Sequence, residues 1–406
     1  MNILVISHLF PSESRPVYGL FINQYVEALA TLQDDINVIA PVPWTPGLLA
    51  RWSPKYRQYF NSPYHRESHQ YSVHYCRYVT FPKAWFHFTS GVRLYLSIRK
   101  YVYSLSRVQP FDIIHAHVAL PAGFAAVLLG EMLGVPTVVT IHGADFQSPI
   151  SQRLLNTLAI KWTLQKADTV TVVSTKLRQM AKTLIATPKN IHIIHNGMNL
   201  YQVHHRIRNN NKMVILSVSN LLDFKGIDLN LQALKKIINL HKDVHYIIIG
   251  EGPDRKRLEH LVSELEIEPY VSFRGACSHE EVMEAMAACD IFSMPSWNES
   301  FGVVYLEAMA TGKPVIGCSG QGIEDFVENG YNGILVQPKD SLQLFEKLSW
   351  LIENPIKRKE IGIRARNTVV KNFRWSSIGQ QYQQLFVKTI KKYRSYFGAN
   401  NRTRLI

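Results

Sequence analysis

The sequence predicts an α/β protein made of two doubly wound domains, each a parallel β-sheet with helices on both faces. Short runs rich in Val and Ile alternate with amphipathic helical stretches along most of the chain, which is typical of such sheets. The 406 residues are too many for one ordinary core and fit two domains. Residues 201–212 are polar and aperiodic, and we interpret them as the linker.

The first predicted domain spans residues 1–200. It begins with a strand, a loop and an amphipathic helix, which are NILVIS, LFPSESRPVYG and LFINQYVEALATL. The later strands are INVIAPV, DIIHAHV, PTVVTIH and TVTVVS, and NIHIIHNG closes the domain. The helices GFAAVLLGEML and TKLRQMAKTLI supply the crossover connections that parallel strands require.

The second predicted domain spans residues 213–375. Its strands are MVILSVS, HYIIIG, VSFRG, DIFSMPS, PVIGC and GILVQP. Its helices are DLNLQALKKII, PDRKRLEHLVSEL, SHEEVMEAMAAC, a helix that begins after ESFG, and one near Ile323–Glu328. A long amphipathic helix, predicted over residues 376–396, ends the fold. Because ligands of such sheets bind at the carboxyl ends of the strands, we expect the site in a cleft between the two domains.

Two segments carry all the basic excess of the chain, whose formal net charge is +14. Residues 44–110 contain ten Lys or Arg and one acid, Glu67, together with sixteen aromatic residues. Residues 361–406 contain ten Lys or Arg and no acid, which leaves the remainder of the chain at −5. Basic residues among aromatic ones favour an anionic membrane surface, but single-stranded nucleic acid or a solvated helical layer would use the same composition.

Several common site types are absent from the sequence. It contains no P-loop, and in GEGPDR Arg255 stands where the third glycine of a dinucleotide-binding loop belongs. There is no Asp-x-Asp motif and no His/Cys cluster at metal spacing, so we expect neither a metal nor another cofactor.

Composition and cysteine usage favour a reducing cytoplasm. The four cysteines form no close-spaced pair, which indicates free thiols. The longest apolar stretch, residues 118–130, is too short to span a bilayer, and MNILVIS has no basic region of the kind that begins a signal peptide.

The stretch NESFGVVYLEAMATGKPVIG places two glutamates around a helix that is apolar nearly all round. Such a helix is buried, and a carboxylate within it costs several kcal/mol unless it is paired. Glu307 therefore needs a partner from the protein or from a ligand. Glu299 precedes the helix, and the N–H groups of Phe301, Gly302 and Val303 are expected at its N-terminus, where phosphate groups bind.

Seven stretches carry a resemblance to one family. They are the segment from Glu299 to Glu307, SVSNLLDFKGID, IIIGEGPDRKRLE, VSFRG, IHAHVALPAG, TIHGAD and HNGM. The sequence from residue 2 to about 375 resembles the retaining GT-B glycosyltransferases of the GT4 type, and most of all bacterial cell-surface polysaccharide transferases of the teichuronic-acid type. The resemblance implies a GT-B fold with two Rossmann-like domains. The first faces the acceptor, and the second binds the nucleotide-sugar. The C-terminal helix would pack back on the first domain, so that both basic segments lie on one lobe.

The resemblance also assigns roles to individual residues. Glu307 would accept hydrogen bonds from the ribose hydroxyls of the donor, Glu299 would bind the transferred sugar, and Lys225 would neutralise the diphosphate. His117, at the carboxyl end of its predicted strand, would contact the donor sugar near the reacting centre. The other donor-binding residues implied are Gly19, His142, Asp145, Asn220, Gly252, Arg274, Ser300, Phe301, Gly302 and Val303. Asn220 stands where the family usually has an arginine, which removes one positive charge from the phosphate site.

The implied function is the retaining, metal-independent transfer of a hexose-type sugar from a nucleotide-sugar, foremost a UDP-sugar, to a lipid-linked or polysaccharide acceptor. We expect the leaving phosphate to help deprotonate the acceptor, and the enzyme to lie on the inner face of the plasma membrane through segments 44–110 and 361–406. Two alternatives remain. One is an epimerase or hydrolase of nucleotide-sugars with the same fold, and the other is a non-catalytic basic binding protein.

Overall fold

The computed structural model describes residues 1–16, 18–32, 34–68, 70–184, 191–200 and 212–402. Packing divides the chain into two compact units. The first unit consists of Met1–Gly197 and Trp375–Ile406, and the second unit is Met198–Arg374. Of the predicted linker, residues 201–211 lie outside the described residues.

The first unit is built on one large sheet. Its strands are β1 (Asn2–Ile6), β2 (Asp35–Ile39), β3 (Val42–Pro43), β4 (His65–Glu67), β5 (Tyr71–His74), β6 (Arg77–Tyr78), β7 (Ile113–His117), β8 (Thr137–Ile141), β9 (Thr169–Val172) and β10 (Ile191–Ile193). The strand order is β10-β9-β8-β7-β1-β2-β5-β4, and only the β4–β5 pairing is antiparallel. Strands β3 and β6 form a separate parallel pair.

Helices cover this sheet. They are α1 (Leu20–Ala30), α2 (Gly47–Trp52), α3 (Pro54–Phe60), α4 (Ser90–Val108), α5 (Phe124–Leu133), α6 (Ala144–Gln147), α7 (Leu154–Lys166), α8 (Thr175–Leu184) and, at the end of the chain, α15 (Trp375–Arg402). Every residue of β1, β7 and β8 is buried, which explains their nearly continuous apolar sequences. Because these three strands are parallel neighbours, their carboxyl ends meet at one edge of the sheet.

Helix α15 completes the core of the first unit. Its apolar face, which includes Ile378, Tyr382 and Phe386, packs into the same cluster as Tyr25 of α1. At its start, the Trp375 indole donates a hydrogen bond to Oε1 of Gln24 at 2.8 Å. The first unit is therefore assembled from both ends of the chain.

The second unit is a six-stranded parallel sheet of order β13-β12-β11-β14-β15-β16. Its strands are β11 (Met213–Val218), β12 (Val244–Ile249), β13 (Val271–Phe273), β14 (Ile291–Ser293), β15 (Val315–Cys318) and β16 (Ile334–Val336). Its helices are α9 (Ile227–Leu240), α10 (Arg255–Glu264), α11 (His279–Ala288), α12 (Val303–Ala310), α13 (Ser341–Glu353) and α14 (Pro355–Asn372). The doubly wound α/β class predicted from the sequence is confirmed.

A buried polar network fixes α9 on this sheet. The hydroxyl of Ser293 donates to Oδ1 of Asn230 at 2.6 Å, and Nδ2 of Asn230 donates to the hydroxyl of Tyr246 at 3.0 Å. The network joins α9 to β12 and β14, so the loop that precedes α9 is held against the end of β14.

The structure differs from the sequence expectation at several elements. Helices α2–α4, α6, α7, α13 and α14 were not predicted, and the helix expected near Ile323–Glu328 is a single short turn, Gly322–Asp325. The turn ends at Phe326, whose φ of −140° and ψ of −8° are not helical. None of the helices in the described part of the chain combines the length and apolar character needed to cross a bilayer.

One expectation about charge is wrong in part. The basic C-terminal segment does not belong to one lobe with residues 44–110, because residues 361–374 are part of the second unit. Arg364, Arg366, Lys371 and Arg374 therefore belong to the second unit, whereas the lysines of α15 belong to the first unit.

Candidate active site

The loop between β14 and α12 contains a turn that only glycine adopts readily. Gly302 has a φ of 87°, and a Cβ atom there would lie 2.4 Å from the ring of Tyr305. The Tyr305 hydroxyl donates a hydrogen bond to the carbonyl of Met294, which fixes the ring beside the turn. No side chain caps α12, so the N–H groups of its first turn are available to an anionic group.

Glu299 and Lys225 form an ion pair in the loops beside this turn. Nζ of Lys225 lies 2.8 Å from Oε2 of Glu299, and the two side chains are 16% and 12% exposed. The other oxygen, Oε1, accepts a hydrogen bond from the backbone N–H of Ser300 at 3.2 Å. Gly226 brings the two loops together, because a Cβ atom at this glycine would lie 2.4 Å from the carbonyl oxygen of Pro295.

Glu307 lies one turn into α12, and its carboxylate accepts no hydrogen bond from the described residues. The side chain is 18% exposed, and the nearest basic side-chain nitrogen among the described residues, Nδ1 of His279, is 3.9 Å from Oε1, too far for a hydrogen bond. Burial raises the pKa of Glu307 to about 7. The described residues therefore leave this carboxylate without the partner that its position in an apolar helix requires.

His279 is a site residue that the sequence did not indicate. It is the first residue of α11, and burial lowers its pKa. The preceding Ser278 and the following Glu281 form a capping box, with Glu281 N–H donating to Ser278 Oγ at 3.2 Å. The sequence SHEE indicates a capping box and therefore the start of a helix. It does not indicate that the His279 side chain lies near Glu307.

The remaining predicted residues of the second unit lie in loops after β11, β12 and β13. Gly252 packs on the backbone of Leu221, where a Cβ atom would lie 2.3 Å from the carbonyl oxygen. Arg274 is exposed, and its backbone N–H donates to the carbonyl of Ile248 at 2.9 Å. Asn220 is also exposed. All three stand at the carboxyl edge of the sheet, where ligands of such folds bind.

In the first unit, His117 and His142 form a hydrogen-bonded pair. Nδ1 of His117 lies 2.9 Å from Nε2 of His142, and the rings stack with centroids 5.2 Å apart. Burial, with His115 and His142 adding to it, holds the pKa of His117 well below its ordinary value. Burial, with a contribution from His8, lowers the pKa of His142 to about 3. Both rings are therefore neutral at physiological pH, and one ring donates the hydrogen bond that the other accepts.

Asp145 and Gly19 shape the same edge of the first sheet. Oδ1 of Asp145 accepts a hydrogen bond from the backbone N–H of Ala119 at 2.6 Å, and Oδ2 accepts one from that of His142 at 3.4 Å. Burial raises the pKa of Asp145 to about 6, against the effect of these hydrogen bonds. Gly19, with a φ of 72°, packs against the backbone of Leu9, where a Cβ atom would lie 2.3 Å from the carbonyl carbon. Both residues thus have structural roles in holding loops.

The structure groups the predicted residues within each unit. In the second unit it brings together Lys225, Glu299 and Ser300, and Gly302 lies close to Glu299. In the first unit it brings together His117, His142 and Asp145. Within the described part of the chain, no three His, Cys, Asp or Glu side chains are arranged to hold a metal ion.

Two family models match the chain, one in its N-terminal part and the other in its C-terminal part. The model described as "Glycosyltransferase Family 4" matches residues 19–202, and "Glycosyl transferases group 1" matches residues 203–368. The chain is 29% identical over 308 residues to the N-acetyl-alpha-D-glucosaminyl L-malate synthase of Bacillus anthracis, covering 73% of this chain and 80% of that relative. It is 25% identical over 385 residues to the putative teichuronic acid biosynthesis glycosyltransferase TuaC of Bacillus subtilis, covering 92% and 95%.

Solved structures share the fold. Sucrose-phosphate synthase from Thermosynechococcus elongatus matches with a TM-score of 0.78 and 22% identity, covering 98% of this chain and all of that one. HepE of Anabaena, solved in complex with UDP-glucose, matches with a TM-score of 0.70 and 20% identity, covering 96% and 100%. With two matching family models, the order of its motifs and this fold, the chain belongs to the GT4-type glycosyltransferases and has their GT-B architecture.

Proposed function

We propose that the protein transfers a hexose-type sugar, with retention of anomeric configuration, from a UDP-sugar to a lipid-linked or polysaccharide acceptor in the synthesis of bacterial cell-surface glycans. The observation that supports the proposal most is that the Glu307 carboxylate is largely buried and accepts no hydrogen bond from the described residues. A carboxylate with a pKa near 7 and no hydrogen-bond donor is destabilising in the unliganded protein. Two vicinal hydroxyls, as on a ribose, would satisfy both of its oxygens, and this explains its position.

The neighbouring groups suit the rest of a nucleotide-sugar. The uncapped N-terminus of α12 and the ammonium of Lys225 would stabilise negative charge on the diphosphate. Lys225 donates a hydrogen bond to Glu299, so donor binding would exchange this partner for a phosphate oxygen and leave Glu299 to accept hydrogen bonds from sugar hydroxyls. These groups supply positive charge without a metal ion, and we propose a metal-independent reaction.

A retaining step is part of the proposal because the sequence resembles retaining glycosyltransferases. Glu299 is engaged by Lys225 and the Ser300 N–H, and Glu307 is assigned to the ribose. In the proposed mechanism the acceptor hydroxyl therefore attacks from the face that the phosphate leaves. The departing phosphate oxygen takes the acceptor proton, and Lys225 stabilises the charge that develops on the diphosphate.

The histidine pair of the first unit is proposed to contact the transferred sugar. His117 is 1% exposed, and its Nε2 atom has no hydrogen-bond partner among the described residues. Because the pair is neutral, it offers one N–H donor and one lone pair, which suits a sugar hydroxyl, itself both donor and acceptor. His142 would hold the ring of His117 in place through their shared hydrogen bond.

UDP is the nucleotide that the comparisons favour. HepE of Anabaena, a structural neighbour, was solved with UDP and glucose and with UDP-glucose. The name of the Bacillus subtilis relative refers to teichuronic acid, a cell-surface polymer, which supports an acceptor of the same class. We therefore propose a UDP-hexose as the donor.

A peripheral position on the cytoplasmic face of the membrane is part of the proposal. Trp44, Trp85 and Phe86 are 57%, 60% and 57% exposed, in a segment with ten basic residues and one acid. Aromatic rings and cationic side chains together favour the interface of an anionic bilayer.

Nucleotide titration tests the donor site. We expect UDP or a UDP-hexose, but not GDP or ADP, to raise the melting temperature in the presence of EDTA, because a ligand that binds only the folded state stabilises it. Glu307→Ala should abolish the shift. No shift with any nucleotide, or an undiminished shift in the variant, would contradict the proposal. The anomeric configuration of the product, read by NMR, tests retention separately.

A further inference from the structure

Three histidines stand at the carboxyl edge of the first sheet, and each has an unsatisfied ring nitrogen. His8 follows β1, His117 ends β7 and His142 follows β8, which are adjacent parallel strands. The Nδ1 atoms of His8 and His142 and the Nε2 atom of His117 are buried without a hydrogen-bond partner among the described residues. Most buried polar atoms of folded proteins have a hydrogen-bond partner, and here three unpartnered nitrogen atoms stand at the ends of adjacent strands.

Arg15 lies in the loop that continues from His8. Its guanidinium carbon is 4.4 Å from the ring centroid of Tyr18 and 5.0 Å from that of Tyr59, so the group is held between two aromatic faces. Its Nε atom is buried and has no partner, and no carboxylate in the described residues forms an ion pair with it. A guanidinium placed in this way keeps donors free for an oxyanion.

The charged groups around these residues are cationic. Burial, and then His87 and Arg15, lower the pKa of His8 to about 4. Burial, and then Arg93 and Arg153, lower the pKa of His87. The turn that contains His87 packs against α7, whose start is flanked by Arg153, so separate segments bring these charges to the same edge.

Two carboxylates lie close by, and neither neutralises the cluster. Asp145 is occupied by the backbone N–H groups of Ala119 and His142, and burial raises its pKa to about 6. Glu13 is exposed on the same loop as Arg15 and forms no ion pair with it among the described residues. Arg15, Arg93 and Arg153 outnumber these two carboxylates, so net positive charge remains beside the buried nitrogen atoms.

We propose that this edge of the first unit, formed by His8, Arg15, His87, His142 and Arg153, binds an anionic group, a phosphate or a carboxylate. That the anion is carried by the sugar acceptor rests on the proposed function. The anion site itself follows from the cluster alone. A metal ion would not suit these residues, because the arginines would repel it.

Anion titration with matched variants tests this proposal. Pyrophosphate and glucuronate, which separate a phosphate source from a carboxylate source, would be titrated by calorimetry into the full chain at constant ionic strength. Arg153→Gln is the principal variant, because this exposed side chain can change without disturbing packing. Arg15→Gln is the second variant, and Lys182→Gln, an exposed charge on α8, is the matched control. Lys225→Gln is included because pyrophosphate could also bind at the proposed donor site.

We expect at least one of the two anions to bind the protein, and to bind Arg15→Gln and Arg153→Gln about tenfold more weakly, since each variant removes a charge-assisted hydrogen bond. Lys182→Gln and Lys225→Gln should retain this binding. Equal binding by all variants, or loss only in Lys225→Gln, would overturn the proposal, as would the absence of binding by both anions. UDP binding, measured in parallel, reports on the donor site, so failure of the proposed function is distinguished from failure of the anion site.

Discussion

At the scale of one residue, Glu307 is a side chain that destabilises the folded protein and that a ligand would stabilise. The folded protein places the carboxylate where burial raises its pKa to about 7, and supplies only a histidine 3.9 Å away. A residue retained for packing alone would be better replaced by Gln or Leu at this position. The unfavourable charge therefore indicates selection for a ligand, which is the trade between stability and activity common to binding sites.

The first prediction concerns Glu307→Gln and its dependence on pH. Because the folded-state pKa lies above the ordinary value of 4.5, the folded protein binds the proton more tightly, and its stability falls as pH rises from about 4.5 to 7. Glu307→Gln removes this loss, so we expect the variant to be more stable than wild type at pH 8, by about 2–3 kcal/mol at most, and nearly equal at pH 4.5. Thermal unfolding of both proteins at the two pH values checks this, and a variant that is less stable at pH 8 would contradict it.

The ionisation of Glu307 should also make the affinity for the donor depend on pH. An ionised carboxylate accepts hydrogen bonds from both ribose hydroxyls, whereas the protonated form carries a competing O–H donor. We therefore expect UDP-glucose to bind more tightly as pH rises from 6 to 8, with a midpoint near the pKa of about 7. Calorimetric titration measures this, and Glu307→Gln serves as the control, because its residual affinity should not vary over the same range.

The ion pair of Lys225 and Glu299 leads to a second residue-scale prediction. Both side chains are largely buried, so removal of either leaves the other without its partner. We expect Lys225→Gln to lower kcat by about 10²–10³, because it removes charge stabilisation of the leaving group. The double variant with Glu299→Gln should be less destabilised than the sum of the single variants.

A matched surface pair provides the control for this experiment. Lys235 and Glu266 are 4.0 Å apart and are 39% and 87% exposed, so Lys235→Gln should change stability and kcat very little. Equal effects of Lys225→Gln and Lys235→Gln on kcat would argue against a role for Lys225 in catalysis.

Site residues could be predicted from the sequence only where they belong to a continuous local motif. The two glutamates and Lys225 occur in continuous motifs, and the structure places Lys225 against Glu299, although 74 positions separate them. His279 and the cluster around His8 could not be foreseen, because their neighbours come from distant segments. No spacing rule connects His8 with His87 or Arg153, and only the folded sheet brings them to one edge.

At the scale of an element, the N-terminus of α12 depends on one backbone conformation. The φ of 87° at Gly302 lets the chain turn into the helix beside the Lys225–Glu299 pair. A side chain there is disfavoured twice, by the left-handed backbone and by contact with the Tyr305 ring at 2.4 Å. The geometry of the proposed phosphate site is thus set by the backbone, and a side-chain change elsewhere in the loop could not replace it.

The element-scale prediction compares two glycines. Gly302→Ala should destabilise the protein by more than about 1 kcal/mol and abolish the UDP-induced rise in melting temperature, because both strain and steric overlap displace the start of α12. Gly330→Ala is the matched control. Its φ is 78°, but a Cβ atom there would meet nothing within 4 Å, so it reports backbone strain alone. Equal UDP shifts in the two variants would show that the turn at Gly302 does not position the donor.

Helices and strands were predicted best where their sequences have a regular apolar pattern. The buried parallel strands have continuous apolar sequences, and the expected strand at NILVIS corresponds to β1. Helices α2 and α3 are short, and Leu48, Leu49 and Phe60 on them are exposed, so their sequences lack the apolar periodicity by which helices are recognised. The single turn at Gly322–Asp325 was expected to continue to Glu328, but the backbone leaves the helical conformation at Phe326, whose φ is −140°.

At the scale of the molecule, the exposed rings of Trp44, Trp85 and Phe86 come from the two segments that follow the paired strands β3 and β6. The N–H of Trp44 donates to the carbonyl of Tyr78 at 2.8 Å, so Trp44 and Val79 emerge side by side from the β3–β6 pair. Arg93 then holds the second segment through hydrogen bonds to the carbonyls of Val79 at 2.7 Å and Phe86 at 3.0 Å. Phe86 has a φ of 53°, a strained conformation for this residue, and its ring remains exposed.

This arrangement makes membrane binding the last prediction. We expect the full chain to float with vesicles containing phosphatidylglycerol at low salt, and to be released by about 0.5 M salt or by replacement with phosphatidylcholine, because exposed charges are screened at that ionic strength. The double variant Trp85→Ala, Phe86→Ala should bind about tenfold more weakly, since each ring loses apolar burial at the interface. Trp350→Ala, which removes a 39%-exposed indole from α13 of the second unit, should bind like wild type. If the double variant binds as tightly as wild type and binding still depends on salt, the basic residues and not the aromatic ones cause the attraction. If the full chain does not bind anionic vesicles at low salt, the membrane-surface proposal is wrong.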